Sequence, residues 1–268
     1  MSELAKDRLQ KRMTELSHIT KKSLGQNFLV ADIVIEKILK AVADENPQKL
    51  LEVGPGLGAI TDLLIKQYGQ YQLIELDHSL AQFWLSQDMP VIEGDALQID
   101  WSKISFDVFV SNLPYQISSS IVIERCLDEK QCQAMILMFQ KEVAQKIRGT
   151  HKEGDYGFLS VFAQEFWDIS TVCDAGPRDF NPAPKIASRV LKFKRKDSTI
   201  TDKKDYLNFL KTCFKQRRRI LKSNFEPSKH AALLQWIELN KLSDKVRAEE
   251  LSLKQLRDLY FFFKGAQV

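Results

Sequence analysis

Between Leu50 and Asn112 the chain repeats one pattern four times: a short apolar run, a polar or glycine-bearing exit, then a stretch of helical spacing. The runs are Leu50-Leu51-Glu52-Val53, Gln72-Leu73-Ile74-Glu75-Leu76-Asp77, Val91-Ile92-Glu93 with its exit Gly94-Asp95-Ala96, and Phe106 to Ser111. Short apolar runs separated by turn residues read as buried strands. Their alternation with helical segments predicts an α/β chain with a parallel, doubly wound sheet. Ala134 to Phe139 adds a fifth strand, and Ser188 to Lys194 is expected to close the sheet. Phe158 to Phe166 fits a helix or a strand equally well. In open sheets of this kind ligands bind beyond the C-terminal ends of the strands, so the exits are where function should be sought.

The first exit is Gly54-Pro55-Gly56-Leu57-Gly58, leading into a helix expected to run to about Gln67. Glycines there let the backbone approach a ligand closely, and the helix start offers unpaired N–H groups. The spacing is GxGxG rather than the GxGxxG of dinucleotide enzymes, which suits a ligand without a pyrophosphate. The second exit is acidic. Glu75 lies about 20 residues past the glycines, where a carboxylate can clamp a ribose diol. Alternatively Glu75 or Asp77 caps a helix starting near Ser79. At the third exit Asp95 can accept a hydrogen bond from an adenine amino group. The fourth delivers Asn112-Leu113-Pro114-Tyr115. An Asn side chain and an exposed carbonyl can both accept from one planar amino group, proline stiffens the turn, and Tyr115 offers a face for stacking. A plain strand-ending turn is the alternative.

Upstream, residues 1–22 mix Lys, Arg and Glu around Leu9, Met13 and Leu16, as in a frayed helix or a mobile basic arm. Gln26 and Asn27 precede an amphipathic helix through Ile33, Ile38, Leu39 and Val42. Downstream, the two prolines of Phe180-Asn181-Pro182-Ala183-Pro184 require a loop, with Phe180 either anchored in the core or exposed for stacking. Tyr206 to Asn224 is expected to be one helix with Leu207, Leu210, Phe214, Leu221 and Phe225 in a stripe. Lys211, Lys215, Arg219 and Lys222 fall on the neighbouring face, joined by Arg217 and Arg218.

Composition bounds the function classes. Among 268 residues 44% are hydrophobic and 28% charged, an ordinary soluble globular balance. No apolar run is long enough for a bilayer and no signal-peptide pattern opens the chain. Cys126, Cys132, Cys173 and Cys213 form no CxxC pair, so neither a disulfide framework nor a metal site is expected, and a reducing cytoplasm fits. The net charge of +4 is uneven. From Asp197 onward 15 Lys+Arg face 9 Asp+Glu, leaving 24 against 26 of the totals 39 and 35 for the rest. A near-neutral body with a basic appendage that meets an anionic partner follows. The boundaries expected are a polar arm over 1–22, a ligand-binding domain over 23–196 and a basic helical domain over 197–268.

In their order and completeness these motifs resemble the rRNA adenine N6,N6-dimethyltransferases, a family of S-adenosylmethionine enzymes, over nearly the whole chain after about Lys21. Leu24-Gly25-Gln26-Asn27-Phe28-Leu29 is similar to the family's N-terminal cofactor motif, and Glu52 to Gly58 to its glycine loop. Glu75-Leu76-Asp77 and Gly94-Asp95-Ala96 are similar to its ribose and adenine motifs, and Asn112 to Tyr115 to its catalytic loop. Phe180 to Pro184 resembles the target-base loop, and Phe214-Lys215-Gln216-Arg217-Arg218-Arg219 a basic signature of the C-terminal domain. The resemblance implies a Rossmann-like class I methyltransferase sheet with a small all-α C-terminal domain. It implies cofactor binding by Gln26, Asn27, Leu29, Gly54, Gly56, Glu75, Asp95, Ala96 and Asn112. Catalysis would fall to Asn112, Leu113, Pro114, Tyr115 and Phe180, and RNA contact to Lys211, Lys215, Arg217, Arg218, Arg219 and Lys222. The implied substrate is a pair of adjacent adenines near the 3′ end of 16S rRNA, free or in a pre-small-subunit particle, acted on by a monomer without metal. The alternatives are a 23S rRNA methyltransferase of the antibiotic-resistance type and a non-catalytic RNA-binding assembly factor of the same fold.

Overall fold

The computed structural model describes residues 3–17, 19–21, 24–129 and 132–265; the boundary expected between Lys22 and Ser23 lies outside them. The chain divides into two compact units. The first comprises residues up to Glu124, Asp128–Ala144 and Asp168–Arg195; the second comprises Arg125–Leu127, Gln145–Trp167 and the chain from Lys196 onward.

In chain order the first unit opens with α1 (Ala5–Glu15), β1 (Phe28–Leu29) and α2 (Asp32–Ala43). Then come β2 (Leu50–Val53), α3 (Thr61–Leu64), β3 (Tyr71–Glu75), α4 (His78–Ser86), β4 (Val91–Glu93) and β5 (Val108–Asn112). Helix α5 (Ser118–Leu127) leads to β6 (Ala134–Gln140) and α6 (Lys141–Arg148), and α7 (Phe158–Phe166) to β7 (Trp167–Ala175), β8 (Phe180–Asn181) and β9 (Ser188–Arg195). The chain ends in α8 (Lys203–Cys213), α9 (His230–Leu239) and α10 (Leu253–Lys264).

The sheet has seven strands in the order β4-β3-β2-β5-β6-β9-β7. Strands β4 to β6 pair in parallel, and β9 runs antiparallel to β6 from Ser188↔Gln140 to Lys194↔Ala134. Strand order runs outward from β2 through β3 and β4, then restarts on the other side at β5. The topological switch point therefore lies between β2 and β5, whose C-terminal ends carry the glycine loop and Asn112. That crevice is where a doubly wound sheet takes its ligand. The central strands are buried throughout, as in Leu50, Leu51 and Val53 of β2 and Val108, Phe109 and Val110 of β5. This is why they read as continuous apolar runs rather than alternating ones.

Four expectations are corrected. Residues Ala5–Glu15 are a helix packed on the first unit, not a mobile arm, with Ala5 and Leu9 buried. Helix α3 stops at Leu64. Phe158–Phe166 is a helix, and the strand beyond it, β7, closes the sheet outside β9. An edge strand needs few apolar residues, and Asp168, Ser170, Thr171 and Asp174 hide β7 in the sequence. Lastly, the single helix expected over Tyr206 to Asn224 breaks after Cys213. The buried Asn224 takes over the hydrogen bonds that a continuing helix would have made. Its amide nitrogen donates to the Cys213 carbonyl at 2.8 Å, and its oxygen accepts from the Gln216 N–H at 3.0 Å.

The second unit has its own aromatic core. Phe162 lies 5.3 Å from Phe166, Tyr206 5.0 Å from Tyr260, and Phe225 5.3 Å from Phe263, measured between ring centres. Each such side chain contributes about 1.5–3 kcal/mol by leaving water. All four cysteines are buried. No helix among the described residues is long and apolar enough to cross a membrane.

Candidate functional site

The switch-point crevice is a cleft lined by the segment Leu24–Leu29, the glycine loop, Glu75-Leu76 and the tetrapeptide from Asn112. Three of the four sequence exits thus meet at one place. The loop owes its shape to glycines with positive φ. At Gly56 (φ +55°) a Cβ would meet the Phe28 ring at 2.9 Å, and at Gly58 (φ +85°) it would meet an Arg12 guanidinium nitrogen at 2.2 Å. No larger residue fits either position without displacing its neighbour.

Beneath the loop, Glu52 is wholly buried and accepts hydrogen bonds from Thr61 Oγ1 at 2.7 Å and from Tyr71 Oη. Burial outweighs both bonds and pushes its carboxyl up to about 7. At the end of β3, Glu75 Oε2 accepts from the Gly56 N–H at 3.1 Å and Oε1 from the Asp77 N–H at 2.9 Å. Glu75 is therefore fixed in the cleft wall against the glycine loop; burial raises its pKa, and those backbone bonds pull the other way. Asp77 serves as the cap instead. It accepts from the Ser79 N–H at the start of α4, from Gln26 Nε2 at 2.9 Å and from Lys21 Nζ at 2.8 Å. Burial alone would raise Asp77, but these partners bring it down to about 2. Gln26 thus ties its own segment to the start of α4, while Asn27 Nδ2 turns back to the Gly25 carbonyl.

Asn112 is the last residue of β5, held in register with Met138. Its Nδ2 donates to the Asn27 carbonyl at 3.0 Å, so its acceptor oxygen carries no bond within the described residues. Tyr115 is half-buried, and its hydroxyl lies 2.9 Å from Ser188 Oγ at the start of β9. Burial raises that phenol further, so it stays protonated at neutral pH.

Two groups of expected residues stand apart from the cleft. Asp95 and Ala96 are not in its wall: Asp95 accepts from the Leu97 N–H at 2.9 Å and from Gln98 Nε2 at 3.1 Å. Ala96 is buried, and its carbonyl accepts from Trp101. Phe180 is 4% exposed and packs in the main core. Core packing leaves it no free face in this structure, and β8 is held there by pairing with β1 through Leu29↔Phe180 and Phe28↔Asn181. Helix α1 contributes residues with no motif to announce them: Ala5, Arg8 and Leu9 complete the cleft wall.

In the second unit, Arg217, Arg218 and Arg219 line an open recess together with Arg247. Arg247 lies far along the chain and is brought there where the Leu221 N–H donates to the Val246 carbonyl. Arg217 is committed: its Nε pairs with Glu249 at 2.9 Å and its Nη2 donates to the carbonyls of Glu153 and Gly154. Arg218, Arg219, Lys211 and Lys215 are exposed. Since the helix ends at Cys213, only Lys211 lies on it, and the remaining cations sit on the turns beyond. Among the described residues no group of three or more His, Cys, Asp or Glu side chains can hold a metal.

Comparison with known proteins gives the following. Residues 17–264 match the family model described as ribosomal RNA adenine dimethylase. The chain is 50% identical to the ribosomal RNA small subunit methyltransferase A of Bdellovibrio bacteriovorus, covering 97% of this chain and 98% of that protein. It is 37% identical to the like-named protein of Mycoplasmoides gallisepticum over 89% of this chain and 91% of the relative. Among solved structures, a dimethyladenosine transferase from Plasmodium falciparum superposes with a TM-score of 0.75 at 25% identity, covering 89% of this chain and 98% of that one. The 23S rRNA methyltransferase ErmE shares the fold at 23% identity with a TM-score of 0.66, covering 89% of this chain and 100% of that one.

Proposed function

The chain belongs to the ribosomal RNA adenine dimethylase family, and from that membership we propose that it dimethylates the N6 amino groups of two adjacent adenines near the 3′ end of 16S rRNA, using S-adenosylmethionine. The observation that carries this reading is the meeting of the Asn112-Leu113-Pro114-Tyr115 loop, the glycine loop and Glu75 around one cleft at the switch point. Relatives with the small-subunit name favour that rRNA over the 23S alternative.

The cleft fits the proposed cofactor by its chemistry. A narrow glycine loop suits a ligand without phosphates, and Glu75 presents carboxylate oxygens for a ribose diol beside it. When bound, the cofactor supplies a methyl group on a positively charged sulfur. The protein's part is to hold and orient. Adenine N6 is a weak nucleophile because its lone pair is delocalised into the ring. Because the Asn112 amide nitrogen is anchored on the Asn27 carbonyl, the oxygen at its other end is available as an acceptor. With the Leu113 carbonyl it can take both N6 hydrogens and favour a pyramidal, more nucleophilic nitrogen. Pro114 stiffens the turn that presents these acceptors. Tyr115, steadied by Ser188, offers the face on which an adenine drawn out of its stack can lie. The basic recess and the exposed cations around it suit rRNA phosphates.

The test is to incubate the protein with methyl-labelled S-adenosylmethionine and separate small-subunit particles, large-subunit particles and free rRNAs. Label recovered as dimethyladenosine in the small subunit is expected. Label confined to 23S rRNA, or no label in any fraction, overturns the proposal.

A further inference from the structure

Helix α1 lies outside every motif used above, yet it forms one wall of the cleft. Ala5, Arg8 and Leu9 share a face at i, i+3 and i+4 spacing, and all three line the cavity. The helix is firmly fixed. Leu9 is buried against Phe28, Leu57 and Leu80. The Ala5 N–H donates to Asp32 Oδ1 at 3.0 Å. Arg12 Nη1 donates to the Leu57 carbonyl at 2.7 Å and to both Asp62 oxygens at 2.9 and 3.0 Å, with its guanidinium over the rings of Phe83 and Trp84.

Arg12 takes up the Asp62 carboxylate at hydrogen-bond distance, whereas Arg8 Nε stands 3.7 Å from it. Two guanidinium groups thus share one carboxylate, with Arg8 the more distant partner. Arg8 donates to the carbonyls of Glu3 and Ala59, and its Nε is buried without a hydrogen-bond partner among the described residues. It is also the one basic side chain among the described residues of the cleft wall, whose other charged members are Glu52 and Glu75. The ligand proposed above carries a sulfonium, an ammonium and a single carboxylate. One cation in the wall faces a ligand with one anion.

We infer that Arg8, held in place by the N-terminal helix, binds the carboxylate at the amino-acid end of the cofactor. This assignment rests on the cofactor reading given above. Charge-assisted hydrogen bonds from guanidinium to carboxylate are the strong ones, and an arginine on a docked helix needs little further ordering to make them.

Calorimetric titrations compare S-adenosylmethionine with its decarboxylated analogue on the wild-type chain, Arg8→Ala and Arg8→Lys. Wild type should bind the intact cofactor about tenfold or more tightly than the analogue, the scale of one charge-assisted bond. Arg8→Ala should lose that preference, binding the analogue as wild type does, and Arg8→Lys should keep part of it. Equal weakening of both ligands would make Arg8 merely a support of the helix and overturn the assignment. Unchanged binding of both would overturn it as well. If wild type binds neither ligand, the cofactor reading itself falls and the assignment with it, an outcome distinguished by the wild-type titration alone.

Discussion

Asn112 uses the two ends of one amide differently: its nitrogen is anchored on Asn27, and its oxygen accepts no bond among the described residues. Asn112→Ala should therefore cut methyl transfer by about a hundredfold, the scale for losing one positioned polar group. Cofactor affinity measured by calorimetry should change little, and turnover close to wild type would remove Asn112 from the chemistry. Its place was legible in the sequence because a strand end and a proline turn fix it locally. Asp95 and Ala96 were equally local, yet the cleft wall does not include them; neighbouring backbone and side-chain partners claim Asp95, which no spacing announces. Glu52 gives a second prediction. Burial holds its folded pKa near 7 against the usual 4.5, so the folded chain keeps a proton that the unfolded chain releases. The stability this contributes is complete below pH 4.5 and is lost as pH rises through about 7. Glu52→Gln should flatten the fall in urea midpoint between pH 5 and pH 8, whereas an unaltered slope would exonerate Glu52. Asp77, with its pKa lowered to about 2, loses its contribution only in stronger acid and leaves that window undisturbed.

Elements differ in how openly the sequence shows them. The parallel strands announce themselves because both faces are buried, while β7 is concealed by the polar residues an edge requires. Helix α8 shows a different failure. The apolar stripe continues past Cys213 and Leu221 is indeed buried, but a side chain rather than the next turn satisfies the backbone. Asn224→Ala should orphan the buried Cys213 carbonyl and release the part-buried Gln216 N–H, costing about 1–3 kcal/mol for the carbonyl left unpaired. Chemical denaturation measures this, and a change within experimental scatter would show that the turn does not depend on Asn224. Helix α1 has the spacing of an amphipathic helix, but its partners Leu57, Asp62, Phe83 and Trp84 lie so far along the chain that no local pattern links them. Arg8 was unreadable for that reason.

At the scale of the whole molecule, charge sorts the cations of the second unit by their commitments. Arg217 is paired with Glu249 and two carbonyls, whereas Arg218 and Arg219 are exposed. Replacing Arg218 and Arg219 with Ala should flatten the slope of log affinity for small-subunit RNA against log salt by about 1.5, at ~0.7–0.9 per phosphate contact. Arg217→Ala should instead lower the melting temperature with little change in slope; the opposite partition would reverse these roles. The basic tail was legible as a charge count, but the partnership of Arg247 with it was not. The order in which the chain must be made sets a further condition. Strand β9 lies between β6 and β7 in the sheet but is synthesised after both. The buried residues of α7, Val161, Phe162 and Phe166, belong to a unit whose remaining complete helices begin only at Lys203. A nascent chain halted near Lys196 would therefore carry a nearly finished sheet and an apolar helix still waiting for its partners. Such a chain would need shelter at the ribosomal exit until the helices from Lys203 onward emerge.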